Sequence, residues 1–313
     1  MPSLITHYEF SKQYIKAQQD LFYLASQGPD PFFYYGYTTP FKSNIKDVRE
    51  FGTFLHEIDP YTYFSFLIEY ANKKENEKDK DTLIPFIKGL LSHYILDRTC
   101  HPYIFYKTGF PLGKTIYSFY HSNFETIVDV LLEKEFKDYP SYKKILKCHR
   151  KDLKIVSKMM FELSKHFNKA NLNEKSYFSS VKTMLTVSRL INSKLFGLRK
   201  KLINKFLPTN TINAMSHPKY KDIDLSIDYL NLNKKERKDV VTNASKGNDN
   251  FYQLFEIAHD DLLHGLKLFD NAFKEGIDEK EFQDLFKGIN HDGIKFNEEM
   301  HYFDLIYTKK ATN

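Results

Sequence analysis

The chain has little sulfur and no tryptophan. Two cysteines, Cys100 and Cys148, stand in 313 residues, which excludes a disulfide framework and any cysteine-based zinc cluster. Twelve Gly and 11 Pro are too few for a loop-rich β-sandwich, a collagen-like repeat or a disordered linker protein. No window holds the roughly 18 uninterrupted apolar residues of a membrane span. The opening Met1-Pro2-Ser3-Leu4-Ile5-Thr6-His7 lacks the cationic start and the apolar stretch of a secretory signal. A cytoplasmic protein is expected, with peripheral contact as its closest approach to a membrane. Any metal must be held by His, Asp and Glu.

What is present is a core and a charge asymmetry. With 42% hydrophobic residues, a chain of this length buries about 75% of the surface its unfolded form exposes. The net charge is +6, but residues 143–206 carry 17 Lys/Arg against 3 acids, and the rest carries 29 against 37. That stretch is helical in pattern, so it offers a basic face to an anionic membrane surface or to nucleic acid. A merely solvated face is the other reading.

Helical periodicity prevails along the chain. Helices are predicted over residues 8–25, 48–57, 61–72, 82–100, 114–136, 142–167, 175–206, 251–275 and 279–287. Hairpin alternation and fixed-period repeats are missing. The predicted fold is an all-α, multi-helix bundle forming a single domain over 1–313, with a metal-site half (1–136) and a basic helical continuation (137–313). The apolar-free run 72–81 reads as a surface loop, and 206–247 as an irregular excursion or short helices.

Two pairs carry the chemistry. His93 and Asp97 are four residues apart, as are His121 and Glu125, so each pair projects from one helical face. Imidazole nitrogen and carboxylate oxygen one turn apart can supply half of a tetrahedral zinc site. With 12 His and 40 acidic residues, chance supplies about 1.5 such pairs, so the pairs alone carry little weight. Their order with other residues carries more.

That order is His7, Gly28-Pro29-Asp30, His56, His93-x-x-x-Asp97-x-x-x-His101-Pro102 and His121-x-x-x-Glu125. It resembles the bacterial zinc-dependent phospholipase C family, an all-α fold shared with secreted single-strand-specific zinc nucleases. The likeness is closest to short bacterial members that open Met-Pro-Ser-x-x-Thr-His and carry Gln-Gly-Pro-Asp and His-Tyr-x-Leu-Asp-x-x-x-His-Pro. It covers residues 1 to about 130, is most specific over 89–102, and extends to the remainder only as a generic helical continuation.

The resemblance implies two or three zinc ions in one cleft. His56, His93 and Asp97 would hold the first, with Asp30 as a further ligand or the catalytic base. His101, His121 and Glu125 would hold the second. His7 would help hold a third, bridged to the first by Asp97 and completed by an N-terminal amine. The family's usual terminal Trp is lacking here, so the amine would be that of Pro2 after removal of Met1. The implied activity is hydrolysis of a phospholipid headgroup ester by metal-activated water. A single-strand nuclease or nucleotide phosphoesterase using the same metals is a second expectation, and a non-catalytic, metal-stabilised helical protein a third.

Further residues have local readings. Residue 101 precedes Pro102, which disfavours helical geometry, so His101 is predicted at a frayed helix end. His121, Glu125 and Asp129 form an i, i+4, i+8 stripe, on which Asp129 either orients a ligand imidazole or faces solvent. The aromatic run 31–37 packs the core or lines the cleft mouth. Cys100 reads as a buried thiol. His259 and His264, five apart, share no face, and His149, His166, His217, His291 and His301 show no partner in the sequence.

Overall fold

A 32-residue helix, α5 (Glu77–Thr108), is the axis of the molecule. The computed structural model describes residues 4–12, 14, 19–109, 115–134, 141–169, 171–192 and 216–304. Among them lie eleven α-helices: α1 (Leu4–Ser11), α2 (Gln19–Ala25), α3 (Ile45–Glu57), α4 (Pro60–Asn72), α5, α6 (Thr115–Glu133), α7 (Tyr142–Ile145), α8 (Arg150–His166), α9 (Ser176–Ile191), α10 (Phe251–Glu275) and α11 (Glu279–Phe286). A short 3-10 turn, Asp30–Tyr34, sits between α3 and α9. The described residues contain no strand, only two isolated bridges. The fold is all-α.

Both ends of α5 depart from the sequence reading. Asn76 caps it by accepting from Lys78 N (3.0 Å), and Glu77 and Asp79 favour its positive end. The second half of the charged run 72–81 is therefore helix rather than loop. At the other end Pro102 does not stop it. A proline inside a helix costs roughly 3 kcal/mol, but Tyr103, Ile104 and Phe105 beyond it are buried, each contributing about 1.5–3 kcal/mol. The helix runs to Thr108 and ends on Gly109 at φ 67°. His101 thus stands inside the helix, not at a frayed end.

Helices α2 and α10 flank this axis, with α4, α6 and α8 packed further around it. The predicted helix 142–167 is interrupted at 146–149, giving α7 and α8. Residues 193–206 of the predicted 175–206 helix lie outside the described residues. Residues 216–247 take irregular form apart from a 3-10 turn at Tyr220–Asp222. Along the basic stretch the apolar face is buried (Leu153, Val156, Met160, Leu163, Val181, Met184), and every Lys and Arg between 143 and 192 is exposed. No helix among the described residues is long and apolar enough to cross a membrane.

Candidate metal centre

Helical spacing puts His93, Asp97 and His101 on one face of α5. Asp97 is the hub. Its Oδ2 lies 2.9 Å from His93 Nε2, and its Oδ1 lies 3.1 Å from His7 Nε2 and 3.6 Å from His101 Nε2. Across from it on α6, Glu125 Oε1 is 3.2 Å from His121 Nε2 and 3.5 Å from His101 Nε2. Asp30, opening the 3-10 turn, places Oδ1 3.2 Å from Nε2 of His56 in the last turn of α3. Three groups result whose donor atoms lie within 4.8 Å of one another: His7, His93 and Asp97; Asp30, His56 and His93; His101, His121 and Glu125. His93 is common to two groups and Asp97 reaches the third, so all eight residues singled out in the sequence form one cluster.

The donor set fits a cation. The Nδ1 atoms of His93, His56 and His101 face the carbonyl oxygens of Ser26 (3.1 Å), Gly52 (2.8 Å) and His291 (2.9 Å). A carbonyl only accepts, so each Nδ1 carries a hydrogen, and each Nε2 is the nitrogen turned to the cluster, where a cation would take its lone pair. Asp97 Oδ2, His93 Nε2 and both oxygens of Asp30 are buried without a hydrogen bond. Their close approaches to one another therefore lie off any N–H···O line. Leaving such groups unpaired is costly, and an ion coordinated by imidazole and carboxylate satisfies them together. Gly28 is part of the same construction. At φ +54°, any Cβ there would lie 2.1–2.4 Å from the His93 ring, which explains a glycine two residues before Asp30.

The charges agree. Burial works to raise the Asp97 pKa, but the fields of His101, His93 and His7 outweigh it and hold the carboxylate well below its ordinary value. Glu125 is likewise held low, burial being overcome chiefly by His121. Burial would lower His101, but Asp97 and Glu125 push its imidazole up to about 10. In zinc-free protein a proton on His101 thus stands in for the cation. Since this value lies above the ordinary 6.5, the stabilisation is complete below about pH 6.5 and is lost as pH rises through about 10. Zinc-free protein is expected to lose unfolding free energy steadily over that window, whereas zinc-loaded protein is not. Urea titrations at about pH 6, 8 and 10, with and without chelator, check this; a flat zinc-free profile contradicts it.

Other residues fall differently from the sequence reading. Asp129 neither faces solvent nor touches a site imidazole. It is fully buried and accepts from Ile5 N (3.2 Å), Thr6 N (2.8 Å) and Thr6 Oγ1 (2.6 Å), with His217 Nε2 at 2.9 Å. It anchors the first turn of α1, on which His7 stands. Of the aromatic run, Phe32, Tyr34 and Tyr35 are core; Phe33 stacks on His56, ring centroids 5.5 Å apart. Cys100 is buried, which pushes its thiol up. The N-terminal amine lies outside the described residues.

The sequence reading missed His291 and Asp292. His291 is buried with its ring 5.1 Å from His56 and 5.7 Å from His93, and Asp292 Oδ1 is 3.7 Å from His101 Nδ1. The one available signal was an adjacent His-Asp pair between Asn290 and Gly293. The rim of the cluster is defined by exposure. His56 and Asp292 side chains are 12% and 28% exposed, while the other seven cluster side chains are at most 8%. Nearby, Lys169 Nζ stands 4.1 Å over the Phe54 ring. Burial and Asp292 raise the Glu57 carboxyl, against His56 and Lys169. Glu57 thus adjoins His56 in the chain and feels the charge of Lys169.

The all-α scaffold thus gathers buried imidazoles and carboxylates around shared carboxylates, a donor set that suits a metal centre. The family model for zinc-dependent phospholipase C matches residues 4–174, more than half of the chain, and the chain belongs to that family. It is a zinc-dependent hydrolase of phosphodiester bonds, and the family implies a phospholipid substrate. All eight clustered residues lie in the matched span, whereas His291 and Asp292 lie beyond it. Comparison with curated proteins and with solved structures finds no match.

Proposed function

We propose that His7, Asp30, His56, His93, Asp97, His101, His121 and Glu125 hold two or three zinc ions. At that centre the protein hydrolyses the bond between a phospholipid's phosphorylated headgroup and its diacylglycerol. The observation that carries this is Asp97, one carboxylate shared by three imidazoles and linking all three donor groups. Zinc, when bound, supplies charge for the phosphate oxygens and lowers the pKa of water from 15.7 to about 7. Asp30 is the catalytic residue in this reading. It is buried, its oxygens are free of hydrogen bonds, and it stands at the His56 side of the cluster, near the rim. There it orients the attacking water and accepts its proton. Residues 1–313 would then act as one helical domain, with 1–136 supplying the ligands.

The basic continuation is the side that meets an anionic bilayer. Between residues 143 and 192 its cations are all exposed, and Lys169 stands over the ring of Phe54, two residues before His56. The 38–44 loop carries Phe41, 99% exposed, and its Lys42 Nζ donates to Ser179 Oγ on α9 (3.3 Å). An exposed aromatic beside lysines suits a lipid interface. A nucleic acid is the alternative partner for the same stretch.

Zinc-loaded protein is expected to release headgroup phosphate ester from vesicles of phosphatidylcholine mixed with anionic lipid, and to stop on chelation. It is expected to leave a single-stranded oligonucleotide intact. Lys169→Glu should weaken apparent vesicle affinity about tenfold or more, as expected for reversing a charge worth about 1 kcal/mol near an anionic surface, with kcat retained. Cleavage of the oligonucleotide but not the lipid would overturn the phospholipid assignment.

A further inference from the structure

The family match ends at residue 174, yet a loop far beyond it closes on the cluster. Residues 289–295 form a built turn. Asn290 Oδ1 accepts from Asp292 N (3.0 Å) and Ile294 N (3.3 Å), and Ile289 pairs with Lys295. Tyr94 on α5 donates its hydroxyl to Ile289 O (2.7 Å). Gly293, at φ +76°, approaches α5 so closely that a Cβ would stand 2.4 Å from both Arg98 O and Pro102 Cγ. Arg98 O is the carbonyl that Pro102, having no N–H, leaves without its helical donor. The proline that failed to end α5 instead makes the seat for this loop.

Seated there, the loop touches three of the proposed ligands. His291 N donates to His56 O (3.2 Å), and His291 O accepts from His101 Nδ1 (2.9 Å). Asp292 Oδ1 backs that same Nδ1 at 3.7 Å. The His291 imidazole, 1% exposed and with Nδ1 lacking a hydrogen bond, packs across the rings of His56 and His93.

We infer that residues 290–293 are a positioning device for the zinc centre, supplied from outside the family-matched region. The loop fixes the His101 tautomer and ring plane, with Nε2 directed at Asp97 and Glu125, and it holds the end of α3 that carries His56. An imidazole whose second nitrogen is held by a carbonyl and backed by a carboxylate is a better-oriented and more basic ligand. The inference rests on His101 being a zinc ligand, and the test separates the two ideas.

Asn290→Ala, Gly293→Ala and Asp292→Asn are compared with His101→Ala by equilibrium competition for zinc against a chromophoric chelator. Helical content and thermal midpoint of the zinc-free proteins are recorded alongside. In the loop variants one class of zinc is expected to weaken 10- to 100-fold, the range for losing an outer partner of a ligand histidine, with helical content kept; His101→Ala should lose that class. Parent zinc affinity in folded Asn290→Ala and Asp292→Asn, with loss in His101→Ala, overturns the inference and leaves the zinc assignment standing. Retention of that zinc by His101→Ala overturns both. Should Gly293→Ala fail to fold, the other two variants decide.

Discussion

Asp97→Ala is expected to abolish zinc-dependent stabilisation and activity together. The carboxylate lies 2.9–3.6 Å from three imidazoles on two helices, so no neighbour can replace it. Several kcal/mol of charge stabilisation by the metal is lost with it, which corresponds to at least about a 10³-fold fall in kcat/KM. Folding suffers as well. Removing one partner of a buried ionic set costs about 3–5 kcal/mol, and His101 loses the foremost charge that keeps it protonated in zinc-free protein. Asp97→Asn should behave like Asp97→Ala in zinc binding, because charge rather than volume is what the cluster needs. Zinc content after gel filtration, thermal midpoints with and without zinc, and headgroup release check these points. A zinc-induced rise in midpoint that survives Asp97→Ala contradicts the role of Asp97 as hub.

That hub was legible because helical spacing is a geometric statement. His93, Asp97 and His101 at i, i+4 and i+8 must share a face of any helix that contains them. His121 and Glu125 do the same on α6. The contribution of His7, Asp30 and His56 came through the ordered motif, because each sits on a different element and only tertiary packing brings them to α5. What stayed hidden depended on such packing without any motif. Pro102 carries a local preference against helix, and the burial of Tyr103, Ile104 and Phe105 overrides it. Asp129 shares the periodicity of His121 and Glu125 but turns to the backbone of α1. His291 and Asp292 lie on a loop, where no period relates them to the helices they touch.

Asp30→Asn separates catalysis from folding most cleanly. In zinc-free protein Asp30 is a carboxyl group at 0% exposure with neither oxygen hydrogen-bonded. A neutral amide of the same size is less costly to bury, so the zinc-free variant is expected to be as stable as the parent or more so, by about 1 kcal/mol. Saturating zinc should reverse the order, because only the carboxylate gains from the ion. Over the same comparison kcat is expected to fall by about 10²–10⁴-fold, the range for losing a positioned general base. Loss of kcat with zinc content unchanged identifies Asp30 as the group that handles the water's proton. Equal loss of zinc, stability and turnover makes it a ligand only, and retention of kcat in the zinc-loaded variant removes it from the reaction. The crossing of the two stability curves is the sharper observable, since a residue of purely structural importance would weaken the fold in both states.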